Sequence, residues 1–254
     1  MLRFASLGSG SKGNGTLIES GKTRILLDCG FSLSETERRL HRLGCPPQSL
    51  TAIVVTHEHG DHAGGVGRLS RRYQLPVWLT VGTCHAMRDV NFAATHYINV
   101  HQSLVIQDMQ LTPFPVPHDA REPCQFVFSD GQHRLGILTD VGAHTPIIVQ
   151  MLQKLDALML ECNYDAEMLA NGAYPSSLKT RVAGRYGHFD NCQATALLEQ
   201  LDVSRLQHLI GMHISQQNNL PAYAQQALCA GVDGEKNWIQ LANQDDGIEW
   251  LEVR

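Results

Sequence analysis

Directly after the apolar run Ile53-Val54-Val55-Thr56, the residues His57-Glu58-His59-Gly60-Asp61-His62 hold three imidazoles and, beyond the Gly60 turn, the Asp61 carboxylate. No other stretch constrains the fold so tightly, because a buried strand must end where its next residues can gather around a cation. His57 and His59 are two apart, so in an extended segment both rings emerge on the same side and can reach one ion. Asp61 and His62 follow Gly60, which turns the chain, and so face a different point. That geometry indicates two neighbouring metals, which in two-metal hydrolases lie roughly 3.5–4 Å apart. A binuclear site needs further ligands. His118 follows Leu111-Thr112-Pro113-Phe114-Pro115-Val116-Pro117, Asp140 follows Gly136-Ile137-Leu138-Thr139, and His213 follows His208-Leu209-Ile210-Gly211-Met212. Any one of these alone reads as an ordinary polar residue at a strand end. As a set, they converge on one rim of a sandwich whose apolar strand bodies fill the core.

The rest of the chain offers strands for such a sandwich. Thr16-Leu17-Ile18-Glu19 turns at Ser20-Gly21-Lys22 and returns as Arg24-Ile25-Leu26-Leu27 into Asp28-Cys29-Gly30. Gln125-Phe126-Val127-Phe128 turns at Ser129-Asp130-Gly131 and returns as Arg134-Leu135-Gly136-Ile137-Leu138, ending in Asp140-Val141-Gly142. Each unit is strand, Gly turn, strand, Asp-x-Gly. Each precedes a helix-like segment and a buried apolar run, Ala52-Ile53-Val54-Val55 or Ala157-Leu158-Met159-Leu160. Helices are expected near 34–43, 62–73, 144–154, 191–201 and 221–230. Trp238-Ile239-Gln240-Leu241 and Ile248-Glu249-Trp250-Leu251, around Asp245-Asp246-Gly247, read as a closing hairpin. The expectation is an α/β chain forming a single domain over 1–254, with two similar halves that meet near 120–125 and two sheets packed face to face inside helices. At 254 residues and 43% hydrophobic content, one substantial core is within reach.

The net charge of −5 gives no global basic field, so a polyanionic partner must be held by a local patch. The cysteines at 29, 45, 84, 124, 162, 192 and 229 form no C-x-x-C pair, and they read as reduced thiols in a cytoplasmic protein. Cys29 lacks a paired base nearby and reads as a packed thiol. The start lacks a charged region followed by an apolar run, and nowhere do 18 apolar residues follow one another, so neither a signal peptide nor a membrane span is expected.

The ordered series His57-x-His59-x-Asp61-His62, His118, Asp140 and His213 resembles the ligand series of the metallo-β-lactamase superfamily, over nearly the whole chain. The resemblance implies a four-layer αβ/βα sandwich, with His57, His59 and His118 on one metal, Asp61, His62 and His213 on the other, and Asp140 bridging both. Redox di-iron relatives carry Glu where His59 stands, so the resemblance implies hydrolysis rather than oxygen chemistry. Further segments are similar to the YycJ (WalJ) type, a branch of DNA exonucleases related to tRNA 3′-end nucleases and small phosphodiesterases. They are Leu7-Gly8-Ser9-Gly10-Ser11-Lys12-Gly13-Asn14, Glu161-Cys162-Asn163-Tyr164-Asp165, Asn171-Gly172-Ala173-Tyr174-Pro175 through Gly187-His188, and His213-Ile214-Ser215 through Asn218-Asn219-Leu220-Pro221. The chain departs from that pattern at Tyr164, where His is common, and at Phe189-Asp190, where Leu-Ser is usual.

Nitrogen and oxygen donors without thiolate suit two divalent ions, zinc or manganese, with iron as a third option. Two such cations lower a bridging water's pKa toward about 7, giving hydroxide at neutral pH. Asp61 is the candidate to orient that group or accept its proton. His188 lies outside the ligand set and follows a basic stretch. It is the candidate acid for the departing alkoxide, a role the resemblance also implies. Lys179, Arg181 and Arg185, with Lys12, would steer phosphates to the rim. Gly8-Ser9-Gly10-Ser11-Lys12-Gly13 matches G-x-G-x-x-G, yet Asn14-Gly15 and a strand follow it rather than the helix a dinucleotide site requires. Ser9, Ser11 and Asn14 remain candidates to meet a phosphate. The expected activity is phosphodiester hydrolysis, by resemblance as a 5′-to-3′ exonuclease with DNA favoured over RNA. A small cyclic phosphodiesterase, a thioester or lactone hydrolase and a non-catalytic binding protein are the alternatives, and the oligomeric state stays open.

Overall fold

The computed structural model describes residues 1–232, 234 and 238–254. Its strands, in chain order, are β1 (Leu2–Gly8), β2 (Gly15–Ser20), β3 (Thr23–Leu27), β4 (Ala52–Val54), β5 (Pro76–Leu79), β6 (Ala94–Tyr97), β7 (Leu104–Ile106), β8 (Met109–Pro115), β9 (Cys124–Ser129), β10 (Arg134–Leu138), β11 (Ala157–Glu161), β12 (His208–Met212), β13 (Ile239–Leu241) and β14 (Ile248–Val253). The helices are α1 (Leu33–Arg42), α2 (Gly60–Ala63), α3 (Val66–Tyr73), α4 (Val81–Ala86), α5 (Pro146–Met151), α6 (Ala166–Asn171), α7 (Ser176–Val182), α8 (Asn191–Leu198) and α9 (Pro221–Ala230).

Among the described residues the strands form two seven-stranded sheets, ordered β14-β1-β2-β3-β4-β5-β6 and β7-β8-β9-β10-β11-β12-β13. Both follow one rule. The first three pairings in each order are antiparallel and the last three parallel. The fold is the αβ/βα sandwich. Period-two patterning builds its layers. In the β2–β3 hairpin, Ile18 opposite Ile25 faces the inner core, while Leu17 opposite Leu26 faces the helices. Phe126 opposite Ile137 repeats this in the second sheet, with Val127 pointing outward. The inner cluster joins both sheets, from Phe4 and Ile18 to Phe126 and Ile210; α5, α8 and α9 cover one outer face, and α1 and α3 the other.

Three expectations need correction. The chain passes between the sheets at residues 98–103, and the repeated strand order restarts at β8, so the halves meet well before 120–125. Pro113 and Pro115 are tolerated within β8, the expected extended run before His118, although proline cannot donate to a ladder. They lie beyond the stretch that β7 covers, which runs only from Met109 to Leu111. The closing hairpin is absent. β13 pairs with β12 and β14 with β1, in different sheets, with only an isolated bridge between Asn243 and Gly247 linking the two segments. Local alternation identifies strands but not their partners. The helix expected over 62–73 is broken at Gly64-Gly65, where a Cβ on Gly65 would lie 2.1 Å from the carbonyl oxygen of Phe31. Elsewhere helix ends follow their caps: Ser32 accepts from the Glu35 amide, and Asp190 and Gln193 form a reciprocal capping box. Among the described residues no helix is long and apolar enough to cross a membrane.

Candidate metal centre

One backbone device ends three strands at the same rim. Asp28 after β3, Asp140 after β10 and His213 after β12 have φ of 62°, 55° and 51°. This left-handed region is sparsely used by residues other than glycine, although Asp and His tolerate it better than most, and such strain collects at functional sites. His57 follows β4, His62 sits in α2, and His118 follows β8. The structure brings all seven sequence-expected ligands together. His57, His59 and His118 form one group and Asp140, Glu161, His188 and His213 another, while His57, His62 and Asp140 join them; donor atoms within each group lie within 4.8 Å of one another. Asp61 Oδ2 stands 3.5 Å from His62 Nε2 and 3.9 Å from His213 Nε2.

Hydrogen bonds behind these rings decide which nitrogen is free. Thr56 Oγ1 donates to Asp28 Oδ2 at 2.9 Å and so accepts from His57 Nδ1 at 2.9 Å, leaving His57 Nε2 without its proton. That atom is buried and has no hydrogen-bond partner. An orphaned lone pair aimed among other donors is what a bound cation would satisfy. His62 Nδ1 donates to the same Asp28 carboxylate at 2.8 Å, and His118 Nδ1 donates to the Gly187 carbonyl at 3.1 Å, so both present Nε2 inward. Burial, with the charge of His62 beside it, holds the His57 pKa well below 6.5; burial also lowers that of His118. Both rings are thus in the neutral form that ligates. Burial opposes ionisation of Asp140, but His213 and His62 outweigh it and hold the carboxyl well below the usual range. Burial likewise opposes charge on His62, yet Asp140, Asp28 and Asp61 raise its pKa well above 6.5. A proton between Asp28 and Asp140 thus occupies a place that a cation suits better. The residues fit a pair of divalent ions.

Beside this cluster lies a cavity of about 370 Å³, lined among others by Asp61, Asp119, Tyr174, Leu178, Arg181, Val182 and His188. His188 Nδ1 sits 2.7 Å from Glu161 Oε1, and Glu161 is fully buried at the end of β11. Burial lowers the His188 pKa, but Glu161 outweighs it and raises the ring to about 9. Arg181 donates from Nε to Asp119 Oδ2 at 2.5 Å, and Asp119 Oδ1 lies 3.5 Å from His118 Nε2.

The remaining sequence candidates are spread more widely. Ser11 lines the cavity. Ser9 is buried, accepting from the His213 amide at 2.8 Å, and Asn14 Nδ2 donates to Asp61 Oδ2 at 3.2 Å, so both brace ligands from behind. Lys12, Lys179 and Arg185 lie outside the cavity lining, and Lys179 Nζ donates to the Ala170 carbonyl at 2.6 Å. Cys29 is buried beside Thr36, and its burial pushes the thiol up to about 12, as befits a packed group. Sequence reasoning missed Glu161 and Asp119 as members of the site. Glu161 closes an apolar strand just as Asp140 follows one, so the same rule could have found it; nothing marks Asp119 beyond its place after His118.

Comparison with known proteins places this geometry. A profile described as "Beta-lactamase superfamily domain" matches residues 23–214. The exodeoxyribonuclease YycJ of Bacillus anthracis is 30% identical over 231 residues, covering 89% of this chain and 88% of that one. The exodeoxyribonuclease WalJ of Streptococcus pneumoniae serotype 2 is 28% identical over 252 residues, or 97% of this chain and 90% of that one. Among solved structures, the metallo-β-lactamase fold protein YhfI of Bacillus subtilis superposes with a TM-score of 0.76 at 17% identity, covering 99% of this chain and 100% of that one.

Proposed function

Because the chain belongs to the metallo-β-lactamase superfamily, we propose that it is a phosphodiester hydrolase dependent on two zinc or manganese ions, acting as a 5′-to-3′ DNA exonuclease. The observation that carries this reading is the rim of buried nitrogen and oxygen donors around the orphaned His57 Nε2, opening into a cavity bordered by His188 and Arg181. Whole-length similarity to exodeoxyribonucleases favours DNA among phosphodiesters. His57, His59 and His118 would hold one ion, Asp61, His62 and His213 the other, and Asp140 both. The pair would supply charge for the phosphate and a water activated at neutral pH.

The chain's own groups do the rest. Thr56, Asp28 and the Gly187 carbonyl fix ring tautomers before any ligand arrives. Asp61, at the cavity edge, accepts the proton of the attacking water. His188, charged at neutral pH because Glu161 faces it, donates a proton to the departing alkoxide. Arg181, held by Asp119, meets the phosphate, and Ser11 offers a neutral donor from the opposite loop. Lys12, Lys179 and Arg185 meet phosphates farther along the strand. The free thiols of all seven cysteines accord with a reducing cytoplasm.

The test is metal-reconstituted protein against 5′-labelled duplex DNA, single-stranded DNA, RNA and bis(p-nitrophenyl) phosphate, with Asp61→Ala as control. Release of 5′-terminal nucleotides from DNA is expected, abolished by the substitution. Cleavage of the small diester alone would refute the nuclease reading.

A further inference from the structure

Helix α7 (Ser176–Val182) has no buried residue, and its apolar side chains Leu178 and Val182 belong to none of the three core clusters. Four apart, they share a helix face, and that face lines the cavity together with Arg181 and, just ahead of the helix, Tyr174. A helix that buries nothing in the core is held by polar tethers. Lys179 donates to the Ala170 carbonyl, Arg181 pairs with Asp119, and the His188 amide donates to the Val182 carbonyl at 2.9 Å. Among the described residues Tyr174 has no ring partner. The wall thus faces the candidate metal centre across a cavity of about 370 Å³, which is near the small end of ligand pockets. A space of that size matches one nucleotide rather than a base pair. Metal ligands are polar and a phosphodiester needs no apolar wall, so the wall addresses the part of the substrate that is flat and apolar.

We infer that Tyr174, Leu178 and Val182 form a nucleobase subsite: Tyr174 stacks on the terminal base of a strand whose adjacent phosphodiester lies over the candidate metal centre, with Arg181 on the phosphate between them. This inference rests on the phosphodiester reading for its orientation. It supplies a reason for one-nucleotide steps, because the wall offers room for a single base beside the metal centre. Stacking tolerates any base, so the subsite selects for a base without selecting its sequence.

The test is calorimetric. The metal-loaded protein is titrated with 2′-deoxyadenosine 3′-monophosphate and, separately, with the 3-phosphate of 1,2-dideoxyribose, which carries the same phosphate and no base. The wild-type protein is expected to bind the nucleotide at least about fivefold more tightly. Tyr174→Ala should erase that preference and Tyr174→Phe should keep it, while Leu178→Asn should reduce it. Equal affinity for both compounds in the wild type, weak binding of both included, or a preference that survives Tyr174→Ala, would overturn the inference. A Tyr174-dependent preference in a protein that hydrolyses no DNA would leave the subsite standing and remove the exonuclease reading.

Discussion

A methyl group on Gly30 would put its carbon 1.7 Å from the carbonyl oxygen of Asp61, with backbone on both sides of the clash. Gly30→Ala therefore forces the Asp61 turn outward. Overpacking of this kind costs about 1–3 kcal/mol or more, and the displaced turn carries both Asp61 and His62. The expected outcome is a lowered denaturation midpoint together with lost metal content in the purified variant. Asp28 acts more quietly. It accepts from Thr56 and His62 at once, so one carboxylate orients two rings. Asp28→Asn should leave a folded chain whose metal affinity is about 10–100-fold weaker in competitive chelator titration. Glu161 concerns the proton rather than the metal. A ring raised by an anion stays charged to higher pH, so removing the anion brings deprotonation to lower pH. Glu161→Gln should accordingly move the alkaline limb of the pH–rate profile to lower pH, and an unmoved limb would exclude His188 as the acid.

Among the elements, α7 and α9 make a useful contrast. α9 buries Ala224, Leu228 and Cys229 against the second sheet, whereas α7 buries nothing. Helices with few buried apolar contacts open at low free energy. Amides of 176–182 should exchange with deuterium faster than those of α9, and nucleotide binding should slow the former selectively. Equal protection of the two helices would show that α7 is fixed by something other than its polar tethers. Strands were more legible than their ends. The hairpins β2–β3 and β9–β10 stand out because period-two alternation and a glycine turn are local signals, with Gly21 and Gly131 at φ of 58° and 91°. β8 was legible as an extended run despite its prolines, whereas the split between α2 and α3 falls where the Gly65 amide donates to the distant Cys29 carbonyl at 2.7 Å.

At the scale of the molecule, the donor groups come from both sheets: His57, His59 and His62 from the first, His118, Asp140 and His213 from the second. A cation held among them ties the sheets together, and a ligand that binds only the folded state stabilises it, by about 2.7 kcal/mol at a hundredfold excess over Kd. Chelation should lower the melting temperature, with the inner core shared by both sheets keeping the transition single. Two separated transitions would show that the sheets fold apart. By itself the sequence determined the donor types of the candidate metal centre and the layered architecture, because side-chain chemistry, strand periodicity and glycine turns are written in neighbouring residues. Only the tertiary structure decided which sheet receives β13 and β14, where one half gives way to the other, and that Glu161 reaches His188 and Asp119 reaches Arg181. Those pairings join residues far apart in the chain, and the energy that selects them comes from burial and charge that exist only once both sheets have closed on each other.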